Sequence, residues 1–121
     1  MKLDFDSDKP IYLQIAEQIE DAIFTGIYLE ETQIPSTTEI STTYKINPAT
    51  VLKGMNILVD EKIIYKKRGV GMFVCEGALD AIKEKRQNNF FQDYVASLIR
   101  EAMKLGLKKD DVLKLIERGF K

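Results

Sequence analysis

Residues 35–74 read PSTTEISTTYKINPATVLKGMNILVDEKIIYKKRGVGMFV, and this stretch decides the fold. Ser36 and Glu39 have the spacing of a capping box, in which each side chain bonds the backbone N–H of the other residue. Asn47 and Pro48 predict the start of a second helix, because Asn is a preferred N-cap and Pro fits the first helical position. The stretch therefore begins with two short helices joined by a turn.

The second predicted helix has two faces of different character. One face repeats apolar residues at helical spacing, which predicts that it packs into the core. It consists of Val51, Met55, Leu58 and Val59. The other face is small, polar or basic, and it consists of Ala49, Thr50, Lys53 and Asn56. A face of this second kind can enter the major groove of DNA.

A basic hairpin is predicted directly after these helices. Residues 63–65 and 72–75 are short apolar runs of the kind found in strands. Between them lie three consecutive cations, residues 66–68, and a Gly-Val-Gly sequence, residues 69–71. Glycine permits a tight turn and a close backbone approach, and cations suit phosphate oxygens. The predicted fold is mostly α with a small β-hairpin, a winged helix-turn-helix.

Four sequence blocks, in order, resemble the GntR family of bacterial transcription regulators. That family reads roughly Pro-hydrophobic-Tyr-x-Gln-Ile, Leu-Pro-Ser-x-Arg-Glu-Leu, Val-Ser-Arg-x-Thr-Val and Arg-x-Gly-x-Gly-x-Phe-Val. The matching residues here are Pro10, Tyr12, Gln14, Ile15, Ile34, Pro35, Ser36, Glu39, Ile40, Thr50, Val51, Gly69, Gly71, Phe73 and Val74. The resemblance covers about residues 9–75 and implies a DNA-binding winged helix-turn-helix.

Two departures from the family pattern limit which DNA-contact roles can be assigned to residues of this chain. Thr38 stands where the family has an arginine, and Asn47-Pro48 stands where it has Ser-Arg. Both family arginines usually contact DNA, so neither role transfers to this chain. In the short YtrA-like branch of the family, this third block reads Asn-Pro-x-Thr-Val. That branch also has a small, all-helical C-terminal part, which this sequence resembles.

The candidate DNA-binding residues lie at the two helix starts and at the hairpin tip. They are Ser36, Thr37, Thr38, Asn47, Ala49, Thr50, Lys53, Lys67, Arg68, Gly69 and Gly71. Hydroxyls and free N–H groups in a first helical turn suit a phosphate, and a threonine methyl can meet a thymine methyl. Simpler roles stay open for Thr38, which could act in capping alone, and for Lys53, which could be a solvated surface lysine.

Helices are also predicted at both ends of the chain. An amphipathic helix with Ile15, Ile19 and Ile23 on one face precedes the winged segment, and Asp8 is its expected cap. After a hinge at residues 76–77, a helical pattern runs over 78–105, interrupted by the polar stretch KEKRQNN. A break within that pattern at Asn88-Asn89 stays open, and a last helix is expected over residues 109–118. The predicted domains are 1–77, which binds DNA, and 78–121, which dimerises.

The C-terminal helices carry more apolar surface than a lone surface helix needs. We expect two copies of the chain to pack through this surface into a small helical bundle. The candidate dimerisation residues are Phe90, Phe91, Tyr94, Val95, Leu98, Ile99 and Ala102. The alternative is that these helices fold back on their own winged domain.

Composition narrows the class of protein further. Residues 36–75 hold six cations and three anions, whereas residues 1–35 hold two cations and eight anions. A basic module on an acidic chain predicts modest, salt-sensitive DNA affinity that needs two copies. No apolar run is long enough for a membrane span, so a cytoplasmic location is expected. Cys75 is expected to be a small buried hydrophobic residue, with a redox thiol as the alternative.

Together these observations predict a sequence-specific transcription regulator, a repressor that binds an inverted-repeat operator as a homodimer. No cofactor or metal site is expected, and an enzyme is disfavoured because the chain lacks histidine and any nucleophile–base pair. A small-molecule effector of unknown identity fits best between the winged domain and the C-terminal helices. The alternative function is a winged-helix protein-interaction module with no operator of its own.

Overall fold

The computed structural model describes all residues, Met1–Lys121, and consists of six α-helices and one two-stranded antiparallel sheet. In chain order the elements are α1 (Ile11–Phe24), α2 (Thr37–Tyr44), α3 (Pro48–Asp60), β1 (Ile64–Lys67), β2 (Gly71–Val74), α4 (Ala78–Asn88), a π-helical turn (Phe91–Val95), α5 (Ala96–Lys104) and α6 (Lys109–Gly119). The chain divides into two compact units, Met1–Glu84 and Lys85–Lys121. The first unit is the predicted winged helix-turn-helix.

The core of the first unit forms where α1, α3 and the hairpin meet. Ile15, Ile19 and Ile23 of α1 are buried, as are Val51, Met55 and Leu58 of α3, which confirms the predicted apolar faces. Gly54 lies between these two helices, and a Cβ atom there would be 2.6 Å from the carbonyl oxygen of Tyr12. The missing side chain therefore lets α3 pack closely against the first turn of α1.

The start of α1 differs from the prediction. Pro10 occupies the N-cap position and no side chain caps the helix, so the assignment of Asp8 as the cap is wrong. The buried Gln14 side chain bonds the preceding segment instead. Its Nε2 donates to the carbonyl oxygens of Asp4 and Lys9, both at 2.8 Å, and its Oε1 accepts from the Asp4 N–H at 2.8 Å. A satisfied amide inside the structure fixes the residues before the helix more firmly than an exposed cap could.

The sheet of the wing has the register that places its apolar residues on one face. Ile64 pairs with Val74, Tyr65 with Phe73, Lys66 with Met72 and Lys67 with Gly71. Ile64, Met72 and Val74 are buried on the core side, whereas the alternate face carries the aromatic pair. The hairpin is therefore attached to the helices through one face and exposes the other.

The first compact unit includes most of α4. Ala78 and Ile82 are fully buried in its core. The backbone N–H groups of Gly77 and Leu79 donate to the Glu30 carboxylate, at 2.8 Å and 3.0 Å. Because these contacts tie α4 to the winged domain, the division between the units falls at Glu84, inside α4, and not at the hinge after Cys75.

The second unit contains the π-helical turn, α5 and α6. The predicted continuous helix is interrupted, since α4 ends at Asn88, and the Ala96 N–H bonds the Phe91 carbonyl five residues earlier. Such a π-turn adds one residue to a helical turn and shifts the side chains that follow. α5 ends before Gly106, whose φ of 74° suits a residue without a side chain. None of the helices has both the length and the apolar character that a membrane crossing demands.

Candidate nucleic-acid interface

The N-terminus of α2 is closed by the predicted capping box. The Glu39 N–H donates to the Ser36 hydroxyl at 3.0 Å, and the Ser36 N–H donates to Glu39 Oε1 at 3.2 Å. The hydroxyl of Ser36 accepts in this arrangement, so its own O–H can still donate to an oxygen of a ligand. Thr37 is half-buried and Thr38 is exposed in the same turn. Hydroxyls at a positive helix end form a surface that suits a phosphate.

The N-terminus of α3 presents a smooth, exposed surface. Asn47 Oδ1 accepts from the Ala49 N–H at 2.8 Å, and Pro48 occupies the first helical position, as predicted. Ala49 is exposed and Thr50 is half-exposed in the first turn. These small side chains allow the helix backbone to approach a flat partner such as the edges of base pairs.

The Lys53 side chain is exposed but makes a specific contact within the chain. Its ammonium lies 4.1 Å from the centroid of the Tyr12 ring, a cation–π contact across the α1–α3 packing. The contact restrains the lysine one turn beyond the start of α3. The sequence left a solvated surface lysine as one alternative, and a DNA contact by Lys53 stays a prediction.

The tip of the wing is a tight turn that carries an unpaired cation. The Val70 N–H donates to the Lys67 carbonyl at 2.9 Å, and Gly69, with φ 76°, takes the position at which such a turn favours glycine. Arg68 is exposed at this turn and forms no ion pair. Lys67 instead lies 5.5 Å from the centroid of Phe73, whose ring stacks on Tyr65 at 5.8 Å. The outer face of the wing therefore carries a stacked aromatic pair with cations beside it.

Gly71 differs from Gly69 in what surrounds it. Its φ is 143°, and a Cβ atom there would lie 2.5 Å from the Nε2 of Gln33. Nothing lies within 4 Å of a Cβ placed on Gly69. From the sequence, both glycines are expected to let a partner approach the backbone closely. At Gly71, however, the space is occupied by the Gln33 side chain of the same chain.

The segment before α2 joins the wing to the helix pair. It pairs with β2 through three backbone bonds: Glu31 N–H to Val74 carbonyl at 2.8 Å, Val74 N–H to Thr32 carbonyl at 3.0 Å, and Ile34 N–H to Met72 carbonyl at 2.9 Å. Gln33 Nε2 also donates to the Val70 carbonyl at 3.0 Å. Ser36, the N-cap of α2, lies two residues after Ile34, so the start of α2 and the wing tip are held in one hydrogen-bonded framework.

Sequence reasoning missed this connecting segment and Gln33 with it. Residues 29–36 read as an entry to the next helix, and their apolar positions gave no strand-like run. The one local signal was Gln33 between the β-branched Thr32 and Ile34, which is typical of a short strand but occurs in many loops. Its pairing depends on β2, forty residues further along the chain, and local pattern does not carry that information.

Cys75 is less buried than the sequence predicts. The residue is half-buried against the core, and its N–H donates to the Ile63 carbonyl at 2.9 Å. Burial raises the pKa of the Cys75 thiol, so the reactive thiolate is disfavoured.

The candidate dimerisation residues lie in the second unit, and most of them are exposed. Phe90, Phe91, Tyr94, Leu98 and Ile99 are exposed, Val95 is half-buried, and Ala102 is buried. Sequence reasoning did not include α6 in this set. Its apolar side chains are also exposed: Leu113, Leu115 and Ile116, with Phe120 beyond its end. A groove of about 580 Å³ between α5 and α6 is lined almost wholly by apolar atoms.

Comparison with known proteins identifies the family to which this chain belongs. The sequence profile described as "Bacterial regulatory proteins, gntR family" matches residues 11–74, more than half of the chain. The chain belongs to the GntR family. The matched region is the winged helix-turn-helix, from the start of α1 to the end of β2.

Two Bacillus subtilis relatives extend the similarity of this GntR chain beyond the winged domain. The regulator YhcF is 32% identical over 93% of this chain and 92% of its own length. The transcriptional repressor YtrA is 31% identical over 89% of this chain and 82% of its own length. These relatives confirm the resemblance to the short YtrA-like branch.

Solved structures agree with the fold and connect it to DNA. A transcriptional regulator from Oenococcus oeni has a TM-score of 0.82, with 28% identity, 100% of this chain and 99% of that one covered. The DNA-binding domain of AraR, solved in complex with the operator ORE1, has a TM-score of 0.54 and 28% identity over 61% of this chain and 90% of that one. The GntR chain is therefore a DNA-binding transcription regulator and not an enzyme.

Proposed function

We propose that this GntR regulator is a cytoplasmic, homodimeric repressor that binds an inverted-repeat operator. In each copy α3 lies in the major groove, with Ala49 and Thr50 at the base edges and Asn47 at the backbone. The hydroxyls of Ser36, Thr37 and Thr38 meet a phosphate at the start of α2. The sign of regulation is inferred from YtrA, a relative that is named as a repressor.

The observation that carries the proposal is the combination of three surface features in one compact unit. The capped start of α2, the small-faced start of α3 and the cationic turn at Arg68 all belong to the first compact unit. Backbone bonds between the segment 31–34 and β2 connect the start of α2 to the wing. Surfaces that are already joined by hydrogen bonds lose less conformational entropy when they bind a duplex.

The wing supplies the second contact with DNA in this proposal. Its tip, with Lys67, Arg68 and Gly69, reaches the minor groove next to the major groove that holds α3. Arg68 is suited to this role because it has no carboxylate partner and because a narrow minor groove attracts a cation. Lys53, which contacts the Tyr12 ring, is assigned to a phosphate at the edge of the major groove in this proposal.

Dimerisation is proposed through the helices of the second unit. The exposed apolar residues of the π-helical turn and α5 form a patch that two copies could bury together. In a two-fold dimer, the two α3 helices would enter successive major grooves about 34 Å apart. The apolar groove between α5 and α6 supports this assignment.

Selection from random DNA tests the proposed function. The full-length protein is used to enrich duplexes from a random pool, and the enriched sequences are compared with the region upstream of its own operon. We expect an inverted repeat with half-site centres separated by about ten base pairs or a multiple of that spacing. Failure to enrich any sequence would exclude operator recognition and favour the protein-interaction alternative.

A further inference from the structure

The wing is short, and its tip extends beyond its backbone support. The two strands have only four residues each. On the outer edge of β2, backbone bonds from the segment 31–34 end at the Met72 carbonyl, which accepts from the Ile34 N–H at 2.9 Å. An isolated two-stranded hairpin is marginally stable in water, so a tip without further contacts would be mobile.

One side chain continues this support toward the tip. Gln33 Nε2 donates to the carbonyl oxygen of Val70 at 3.0 Å, across 37 positions of the sequence. The amide fits there because Gly71 has no side chain, since a Cβ atom would come within 2.5 Å of Nε2. The Gln33 backbone meanwhile pairs opposite Phe73 of β2, so the residue joins β2 through its main chain and the turn before β2 through its side chain.

We propose that Gln33 is a positioning residue for DNA binding: it fixes the wing tip relative to the start of α2. Only two residues separate Gln33 from Ser36, the cap of α2, so one residue restrains both surfaces. The cation at Arg68 is then presented at a set position before DNA arrives. The inference rests on the proposed function, in which the wing tip and the start of α2 contact the same duplex.

The first arm of the test needs no DNA. Gln33→Met keeps the length and neutrality of the side chain but removes the donor, and Gln87→Met makes the same change at an exposed glutamine of α4. NMR relaxation of the backbone amides is measured in the free, full-length protein. We expect lower order parameters at residues 68–71 in Gln33→Met, unchanged values in α1 to α3, and wild-type values throughout Gln87→Met.

The second arm measures affinity for a duplex selected from random DNA by the wild-type protein. Losing one hydrogen bond that orders the tip should weaken binding by about fivefold. Arg68→Ala serves as the partner in a double-mutant cycle. If Gln33 acts through the tip, Gln33→Met should cost little further affinity once Arg68 is absent, whereas a direct DNA contact or general destabilisation would give additive losses.

The possible outcomes distinguish a failure of the role proposed for Gln33 from a failure of the proposed function. Unchanged order at residues 68–71, or additive losses in the cycle, would overturn the role of Gln33 while leaving operator binding intact. If the wild-type protein enriches no sequence, the proposed function fails instead. A disordered tip together with non-additive losses would support the inference.

Discussion

Gly71 is the residue whose role the surrounding structure changes most. Its φ of 143° is rare for a residue with a side chain, and a Cβ atom would collide with Gln33. We expect Gly71→Ala to lower the free energy of unfolding by about 1–3 kcal/mol, mainly through backbone strain, because the Gln33 amide ends a flexible side chain and can move away from the new methyl group. The measurement is chemical denaturation, with Gly69→Asn as the matched variant. Gly69 has a φ of 76° and open space, and asparagine tolerates that conformation, so a loss under about 1 kcal/mol is expected there. Equal losses at both positions would contradict the backbone strain assigned to Gly71.

Arg68 is the wing-tip residue that the proposed function assigns to DNA. The side chain is exposed at the wing tip and has no ion-pair partner, so its removal should leave the fold intact. Arg68→Ala should weaken operator binding and reduce the slope of log affinity against log salt by about one. Lys83→Ala, which removes an exposed cation from α4, is the control for net charge. Binding and salt dependence that match in the wild type and Arg68→Ala would remove the wing tip from the proposed interface.

At the scale of elements, Glu30 attaches the first turn of α4 to the winged domain. Hydrogen bonds from the backbone N–H groups of Leu79 and Gly77 lower the pKa of the Glu30 carboxyl from its ordinary value of 4.5. A lowered folded-state pKa means that this contribution to stability is complete above pH 4.5 and is lost as the pH falls through the folded pKa. Glu30→Gln should therefore lower the Tm at neutral pH, and the difference from wild type should shrink in acid. Glu31→Gln, at the exposed neighbour, is the control, and a pH-independent difference would refute the assignment.

The sequence could predict features within an element, but it could not predict contacts between distant elements. The capping box at Ser36, the Asn-Pro start of α3 and the hairpin follow from local rules, because each depends on residues only a few positions apart. The contacts of Glu30 with Leu79 and of Gln33 with Val70 join distant segments, so no local pattern announces them. The cap of α1 failed for a related reason, since the buried Gln14 binds the segment before the helix. For the candidate site, local sequence rules predicted the helix starts and the cations, but they did not predict the hydrogen-bonded framework that connects them.

At the scale of the whole molecule, the proposed dimer makes DNA binding depend on the second unit, although the candidate DNA-binding residues lie in the first. Tyr94 is 66% exposed, and its ring lies 5.3 Å from that of Phe90. We expect Tyr94→Glu to make the protein monomeric in sedimentation analysis, because a buried unpaired charge opposes association. Operator affinity should then fall by at least about a hundredfold, since the second half-site no longer binds intramolecularly.

The neighbouring Gln92 provides the matched control, because it is exposed and polar in the same turn. Gln92→Glu adds the same charge without removing an apolar contact, so it should stay dimeric and keep most of its operator affinity. A wild-type protein that sediments as a monomer at working concentration would reject the dimer outright. A Tyr94→Glu variant that remains dimeric would instead move the interface away from the π-helical turn, toward the exposed apolar side chains of α6.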